Sequence, residues 1–249
     1  MTVIAVVNCN TSTSMTETIA AGARAAALPG TRILPLTPDW GVASAEGWFD
    51  SYLSAASVLD LLQRLDQPVD GVVMAGFGEH GREGARELLN VPVVDITEAA
   101  ALHALVLGRR YAVVTTLARA QGQIEDSLRT AGLLERCTGI HATGLGVLDL
   151  ERDPATTEKA FTNAARAAID AGADVICLGC AGMSGLDARM TEQLGIPVID
   201  GVSCAVGLLE TLIHRNLTTS KTGTYATPLP KTRTLPTARA GSTQTHSPQ

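Results

Sequence analysis

With 249 residues, 45% of them apolar, and a mean hydropathy of +0.17, the chain is long enough for one large or two small domains with full cores. A net charge of −6 and a pI near 5.4 exclude a nucleic-acid binder, because no Lys/Arg cluster is available to neutralise phosphates, and point instead to a small-molecule partner. The five cysteines are odd in number and scattered, which suits reduced thiols rather than a disulfide framework. The chain opens on the apolar Val3–Val7 without a basic leader, and no apolar run reaches the roughly 20 residues that span a bilayer. The expectation is a cytoplasmic homo-oligomer with no membrane contact.

Short apolar runs alternate with longer periodic segments, the pattern of βα units around a parallel sheet buried on both faces. In chain order the pattern predicts strand 2–8, helix 15–27, strand 31–36, helix 44–65, strand 70–76, helix 81–89, strand 92–95 and helix 97–107. It continues with strand 110–115, helix 121–131, strand 138–142, helix 154–171, strand 174–179, helix 187–194, strand 197–200 and helix 202–216. Thr11–Ser14 supplies N-caps for the first helix, and Asp153-Pro154 places a cap before a proline at a helix start. From Thr218 apolar periodicity stops, and 226–249 reads as a disordered tail too poor in apolar groups to offset its ordering entropy.

A near-repeat divides the chain. Val73-Met74-Ala75-Gly76-Phe77 precedes Pro92-Val93-Val94-Asp95, and Cys177-Leu178-Gly179-Cys180-Ala181 precedes Pro197-Val198-Ile199-Asp200. Gly76 and Cys180 stand 104 residues apart, and Pro92 and Pro197 stand 105 apart. The expected architecture is an α/β fold of two lobes, each a parallel sheet flanked by helices. Lobe 1 spans 1–97, completed by 203–225, and lobe 2 spans 98–202. Strand ends carrying Asn8-Cys9-Asn10, Gly76-Phe77-Gly78, Thr115-Thr116 and Gly179-Cys180-Ala181-Gly182 would open onto a shared cleft.

Within that cleft Cys180 is the leading candidate for chemistry. Small neighbours let a ligand approach the backbone, and a thiol near a helix N-terminus has a lowered pKa, so it can serve as base or acid near neutrality. The plain alternative is an inert core cysteine. Cys177, an odd number of positions earlier on the strand, points to the other face and packs. Cys9 is either a displaced second thiol or a loop residue turned away. His80 is either a proton carrier, standing in for a base missing from the first half, or a surface histidine capping the next helix. Thr115 and Thr116 could bind a carboxylate or imide oxygen or simply cap, and Glu46 and Trp48 either line the cleft or begin a helix, the second being favoured. Asn10, Gly76, Phe77, Gly179, Ala181 and Gly182 complete the expected substrate-binding set. His103, His141 and His214 lack the spacing of a zinc site. The first strand lacks a glycine-rich phosphate fingerprint, and Lys159, Lys221 and Lys231 are poorly placed for a Schiff base, so no cofactor or metal is expected.

These segments resemble a known family. Asn8–Ser12, Glu46-Gly47 with Phe49-Asp50, Gly76–Gly78, Thr115–Leu117, Leu178–Met183 and Thr219–Lys221 with Tyr225 resemble the hydantoin racemase branch of the aspartate/glutamate racemase superfamily, over about residues 1–231. The resemblance implies two pseudosymmetric lobes and a metal-free, cofactor-independent reaction at an acidic C–H. In it, one cysteine from each lobe moves the C5 proton of a 5-substituted hydantoin through a planar enolate. Cys180 matches the second-lobe cysteine. Gly76 stands where those racemases carry the first-lobe cysteine, Cys9 where they usually carry proline, and Glu79-His80 where they carry Asp-Pro. The glycine resembles arylmalonate decarboxylase, a single-cysteine member. A malonate-type decarboxylase and a non-catalytic ligand-binding relative are therefore the alternatives to a racemase.

Overall fold

The computed structural model describes residues 1–150, 152–183 and 185–233. From 234 onward the expected disordered tail lies outside the described residues, while 226–233 form neither helix nor strand. The first sheet is built from β1 (Thr2–Asn8), β2 (Thr31–Leu36), β3 (Gly71–Ala75) and β4 (Val93–Asp95), and the second from β5 (Tyr111–Thr115), β6 (Cys137–Ala142), β7 (Val175–Leu178) and β8 (Val198–Asp200). Every pairing is parallel, and the orders β2-β1-β3-β4 and β6-β5-β7-β8 are the same within each sheet. The helices are α1 (Thr13–Ala26), α2 (Trp48–Gln63), α3 (Arg82–Leu88), α4 (Ile96–Leu107), α5 (Gln121–Thr130), α6 (Pro154–Asp170), α7 (Asp187–Leu194) and α8 (Gly201–His214).

All the predicted strands and helices form, with shifts at their ends. The largest is at α2, which starts at Trp48 rather than Ser44 and leaves Ala45-Glu46-Gly47 in a loop. The central strands are covered on both faces: Ile4–Val7 and Val72–Val73 are at most 1% exposed, each such side chain contributing about 1.5–3 kcal/mol of burial.

The near-repeat also has a structural meaning. Pro92 and Pro197 carbonyls accept from Val72 and Ile176, one strand over in each sheet. Asp95 and Asp200 then cap the next helix, taking N–H bonds from Thr97 and Glu98, and from Val202 and Ser203. Helices α4 and α8 pack on each other, α4 also lying against β7 and α8 against β3. The chain after α8 returns to lobe 1. Thr219 bonds the Asn90 and Val91 carbonyls, and the Lys221 ammonium donates to the Arg86 and Glu87 carbonyls at the end of α3, where orphan acceptors and the helix dipole favour a cation.

The contact between α4 and α8 tolerates no side chain at Gly201. A Cβ there would lie 2.6 Å from the Ile96 carbonyl oxygen. Helix propensity alone favours Gly201→Ala, yet forcing these backbones apart costs more, so the variant should lose about 1–3 kcal/mol in urea unfolding. An unchanged or raised midpoint would contradict this packing.

Candidate active site

The loops after β1, β3, β5 and β7 converge on one cavity at the strand ends. Cys180, Cys9, His80, Asn10, Gly76, Phe77, Thr115, Thr116, Gly179 and Ala181 all line it. Gly182 does not; it belongs to the single turn Ala181–Met183, from which its backbone N–H faces the Cys180 sulfur. Met15, Ala45, Ala120, Gln123 and Val147 also line the cavity, and no motif in the sequence marks them.

On the first-lobe wall the loop after β1 is held by Asn8, whose carboxamide donates to Asn10 Oδ1, the Ser12 carbonyl and Thr16 Oγ1. Asn10 is buried and among the described residues its own Nδ2 meets only the weak acceptor Met15 Sδ, which leaves donor capacity at the cavity. With the loop so fixed, Cys9 turns inward. A Cβ placed on Gly76 would lie 2.4 Å from His80 Cδ2, 2.7 Å from Cys9 Cβ and 2.9 Å from Cys9 Sγ. The space that a side chain at position 76 would need is thus occupied by Cys9 and His80. His80 is 5% exposed, with Nδ1 3.2 Å from Ser51 Oγ and Nε2 3.4 Å from the Phe77 carbonyl. Burial brings its pKa down to about 4, so the ring is neutral at pH 7 and is no surface cap. Capping of α3 falls to Glu79, whose carboxylate accepts from the Gly81 and Arg82 N–H groups.

On the second-lobe wall Gly179 lets β7 press onto β5. A Cβ there would come within 2.7 Å of Val113 Cγ1, and the Thr115 hydroxyl donates to the Gly179 carbonyl. Cys180 follows immediately. Thr116 is buried beside it, and its hydroxyl has no protein hydrogen bond among the described residues. The lobes are tied across the cleft by Gln123 Nε2 to Ser51 Oγ and the Glu79 carbonyl, by Ser127 Oγ to the Gly78 carbonyl, and by the Val147 N–H to Glu46 Oε1 at 2.9 Å. Glu46, for which a helix start was favoured over a place in the cleft, precedes α2 and bridges the lobes.

The thiols differ from expectation in one respect. Cys180 is not held low by a helix N-terminus. Burial pushes it up to about 11, the Gly182 N–H opposes that rise, and the Glu46 charge adds to it. One short turn provides too small a dipole to outweigh lost hydration. Cys9 is pushed up to about 12, by burial first and then by the charge of Cys180, so ionising one thiol disfavours ionising the other. Among the described residues no group of three or more His, Cys, Asp or Glu side chains is placed to hold a metal ion. Glu46→Gln keeps an acceptor for Val147 but removes the charge that opposes a Cys180 thiolate. Alkylation of Cys180 by iodoacetamide at pH 8, followed by mass spectrometry, should accelerate about 2–5-fold. A slower reaction would show that the charge does not act on this sulfur.

Residues 4–209 match the family model described as Asp/Glu/Hydantoin racemase. The hydantoin racemase of Pseudomonas sp. (strain NS671) is 39% identical over 227 residues, covering 90% of this chain and 91% of that protein. The crystal structure of an allantoin racemase from Pseudomonas fluorescens superposes with a TM-score of 0.92 at 55% identity, covering 93% of this chain and 99% of that one. An arylmalonate decarboxylase structure shares the fold at a TM-score of 0.56 and 23% identity, over 85% of this chain and 92% of that one. Helices flanking two parallel sheets, a cleft at the strand ends and a family match across both lobes lead to one conclusion: the chain belongs to the Asp/Glu/hydantoin racemase family and is an isomerase of the racemase type.

Proposed function

We propose that this racemase acts on a small 5-substituted hydantoin, with allantoin as its substrate, and that Cys180 carries the proton at ring carbon C5. The observation that carries the reading is a cavity between the lobes with Cys180 on its second-lobe wall, in a chain 55% identical to an allantoin racemase along nearly its whole length. C5 of a hydantoin is flanked by a carbonyl and a ring nitrogen, so removing its proton gives a planar enolate, with the charge resting on oxygen. The Cys180 thiolate takes the proton and becomes a thiol. A proton returned to the opposite face yields the other enantiomer, and the enzyme needs no net gain or loss of protons or electrons.

The ring offers two carbonyls and two N–H groups, for which Asn10 Nδ2 and Thr116 Oγ1 are available partners. Burial that raises the thiols also excludes water, so an enolate formed there meets few competing proton sources. The decarboxylase alternative rests on Gly76, and the space beside Gly76 holds a second thiol rather than an apolar wall. The non-catalytic alternative requires Cys180 to be inert, against its place on the cavity lining.

Enantiopure allantoin incubated with the enzyme should lose optical rotation faster than the uncatalysed control and, in D₂O, gain deuterium at C5. Cys180→Ser should lower kcat/KM by about 10²–10⁴-fold. A malonate panel should release no carbon dioxide. The active form needs one thiolate, and with pKa values raised to about 11 and about 12 its fraction grows roughly tenfold per pH unit through neutrality. The rate constant kcat/KM should therefore rise from pH 6 to pH 8; a flat profile over that range would count against a thiolate base.

A further inference from the structure

We infer that Gln123 is a specificity-determining residue of this enzyme: its carboxamide oxygen accepts an N–H from the substituent at C5, so the cleft favours hydantoins whose substituent is a neutral hydrogen-bond donor. The ureido group of allantoin is such a donor. The inference rests on the racemase reading above and names the group that tells one C5 substituent from another.

Three observations lead to it. First, Gln123 is 3% exposed and lines the cavity, and the orientation of its carboxamide is fixed. Nε2 donates to Ser51 Oγ and, at 3.0 Å, to the Glu79 carbonyl, which can only accept, so both amide hydrogens are committed to the first lobe. Second, Oε1 has no hydrogen-bond partner among the described residues, which makes it the polar atom that Gln123 has left for a ligand. Third, the cavity offers few other acceptors. Among the described residues no carboxylate lines it, Asn10 Oδ1 already accepts from the Asn8 carboxamide and the Ser12 N–H, and Asn8 Oδ1 accepts from the Asn10 N–H.

A ureido group brings more N–H donors than acceptors, and an alkyl group of the same size brings none. Seating the alkyl group against Oε1 strips that oxygen of water without replacing the hydrogen bond, and the discrimination arises there. A cationic substituent would need an anionic partner, which the lining lacks. Because the first lobe holds the carboxamide in place, its oxygen is oriented before the substrate arrives and binding does not have to order it.

The test compares kcat/KM for racemisation of enantiopure allantoin with that for 5-isobutylhydantoin, whose substituent has the size of the ureido group and no polar atom. Where the isobutyl compound does not turn over, its inhibition constant against allantoin takes the place of kcat/KM. Gln123→Met removes the acceptor and the tie to the first lobe together, whereas Ser51→Ala weakens the tie and leaves the acceptor. The preference for allantoin should fall about 5–100-fold in Gln123→Met and stay within about twofold of wild type in Ser51→Ala. A merely structural role would slow both substrates alike. A preference within about twofold of wild type in Gln123→Met would overturn the inference, as would an equal drop in Ser51→Ala, which would trace the effect to the tie. Retained handling of the isobutyl compound certifies that Gln123→Met is folded. A second measurement needs no variant: wild type that handles the two compounds equally would also overturn the inference. The substrate reading fails separately, as a wild-type enzyme that leaves the rotation of allantoin unchanged, and takes this inference with it.

Discussion

Parallel strands buried on both faces leave only their carboxyl ends free to carry chemistry, and the rest of this site follows from that constraint. Ile4–Val7, Val72–Val73, Val113–Val114 and Val175–Leu178 are all enclosed, so no functional group can be mounted along them without losing its hydration. The residue just past each strand end is not packed within the sheet. There the backbone leaves the ladder and the side chain can reach a shared space while the preceding residues stay packed. Two sheets with the same strand order, joined through α4 and α8, bring four such ends together. The close contact of Gly201 with Ile96 belongs to that join, which helps to set how far apart the two cysteine-bearing loops stand.

The same burial sets the electrostatics. Taking a thiol out of water raises its pKa, and here the penalty exceeds the help from the Gly182 N–H. A high pKa makes the thiolate scarce but also strongly basic, which matters when the proton to be removed is on carbon. Coulombic opposition between Cys9 and Cys180 favours one charge over two. Glu46 holds that balance further towards the protonated side of Cys180 while its hydrogen bond to Val147 ties the lobes. A single carboxylate in a loop thus acts both on the tie between the lobes and on the acidity of the thiol between them.

Most of the fold was legible in the sequence because burial on both faces writes uninterrupted apolar runs, as at Val3–Val7 and Tyr111–Val114, and because Ser12 and Asp153 mark the following helix starts. The loop at Ala45-Glu46-Gly47 was not: its residues are compatible with a helix, and it is the tertiary bond from Glu46 to Val147 that extends it across the cleft. At the site, Cys180 and Gly179 could be read from their place after a strand. Gln123 could not, since a glutamine near the start of α5 has no local signature, and only the approach of the lobes brings it to Ser51 and Glu79. The acidity of the thiols was also beyond the sequence, because whether a helix dipole or desolvation prevails depends on the length of one turn and on what surrounds the sulfur.

Gly76 shows best why a position-by-position comparison falls short. Set against the racemase pattern the sequence resembles, Gly76 reads as an absent thiol and Cys9 as an unrelated cysteine in another loop. In space the two positions adjoin, since a Cβ on Gly76 would lie 2.7 Å from Cys9 Cβ. Strands β1 and β3 are neighbours in the sheet, with Asn8 in register with Ala75, so the residues following them reach the same corner from adjacent starting points. What the adjacent parallel ladder fixes is the location of the corner, and the glycine at position 76 is what leaves room there for side chains arriving from β1 and from the start of α3.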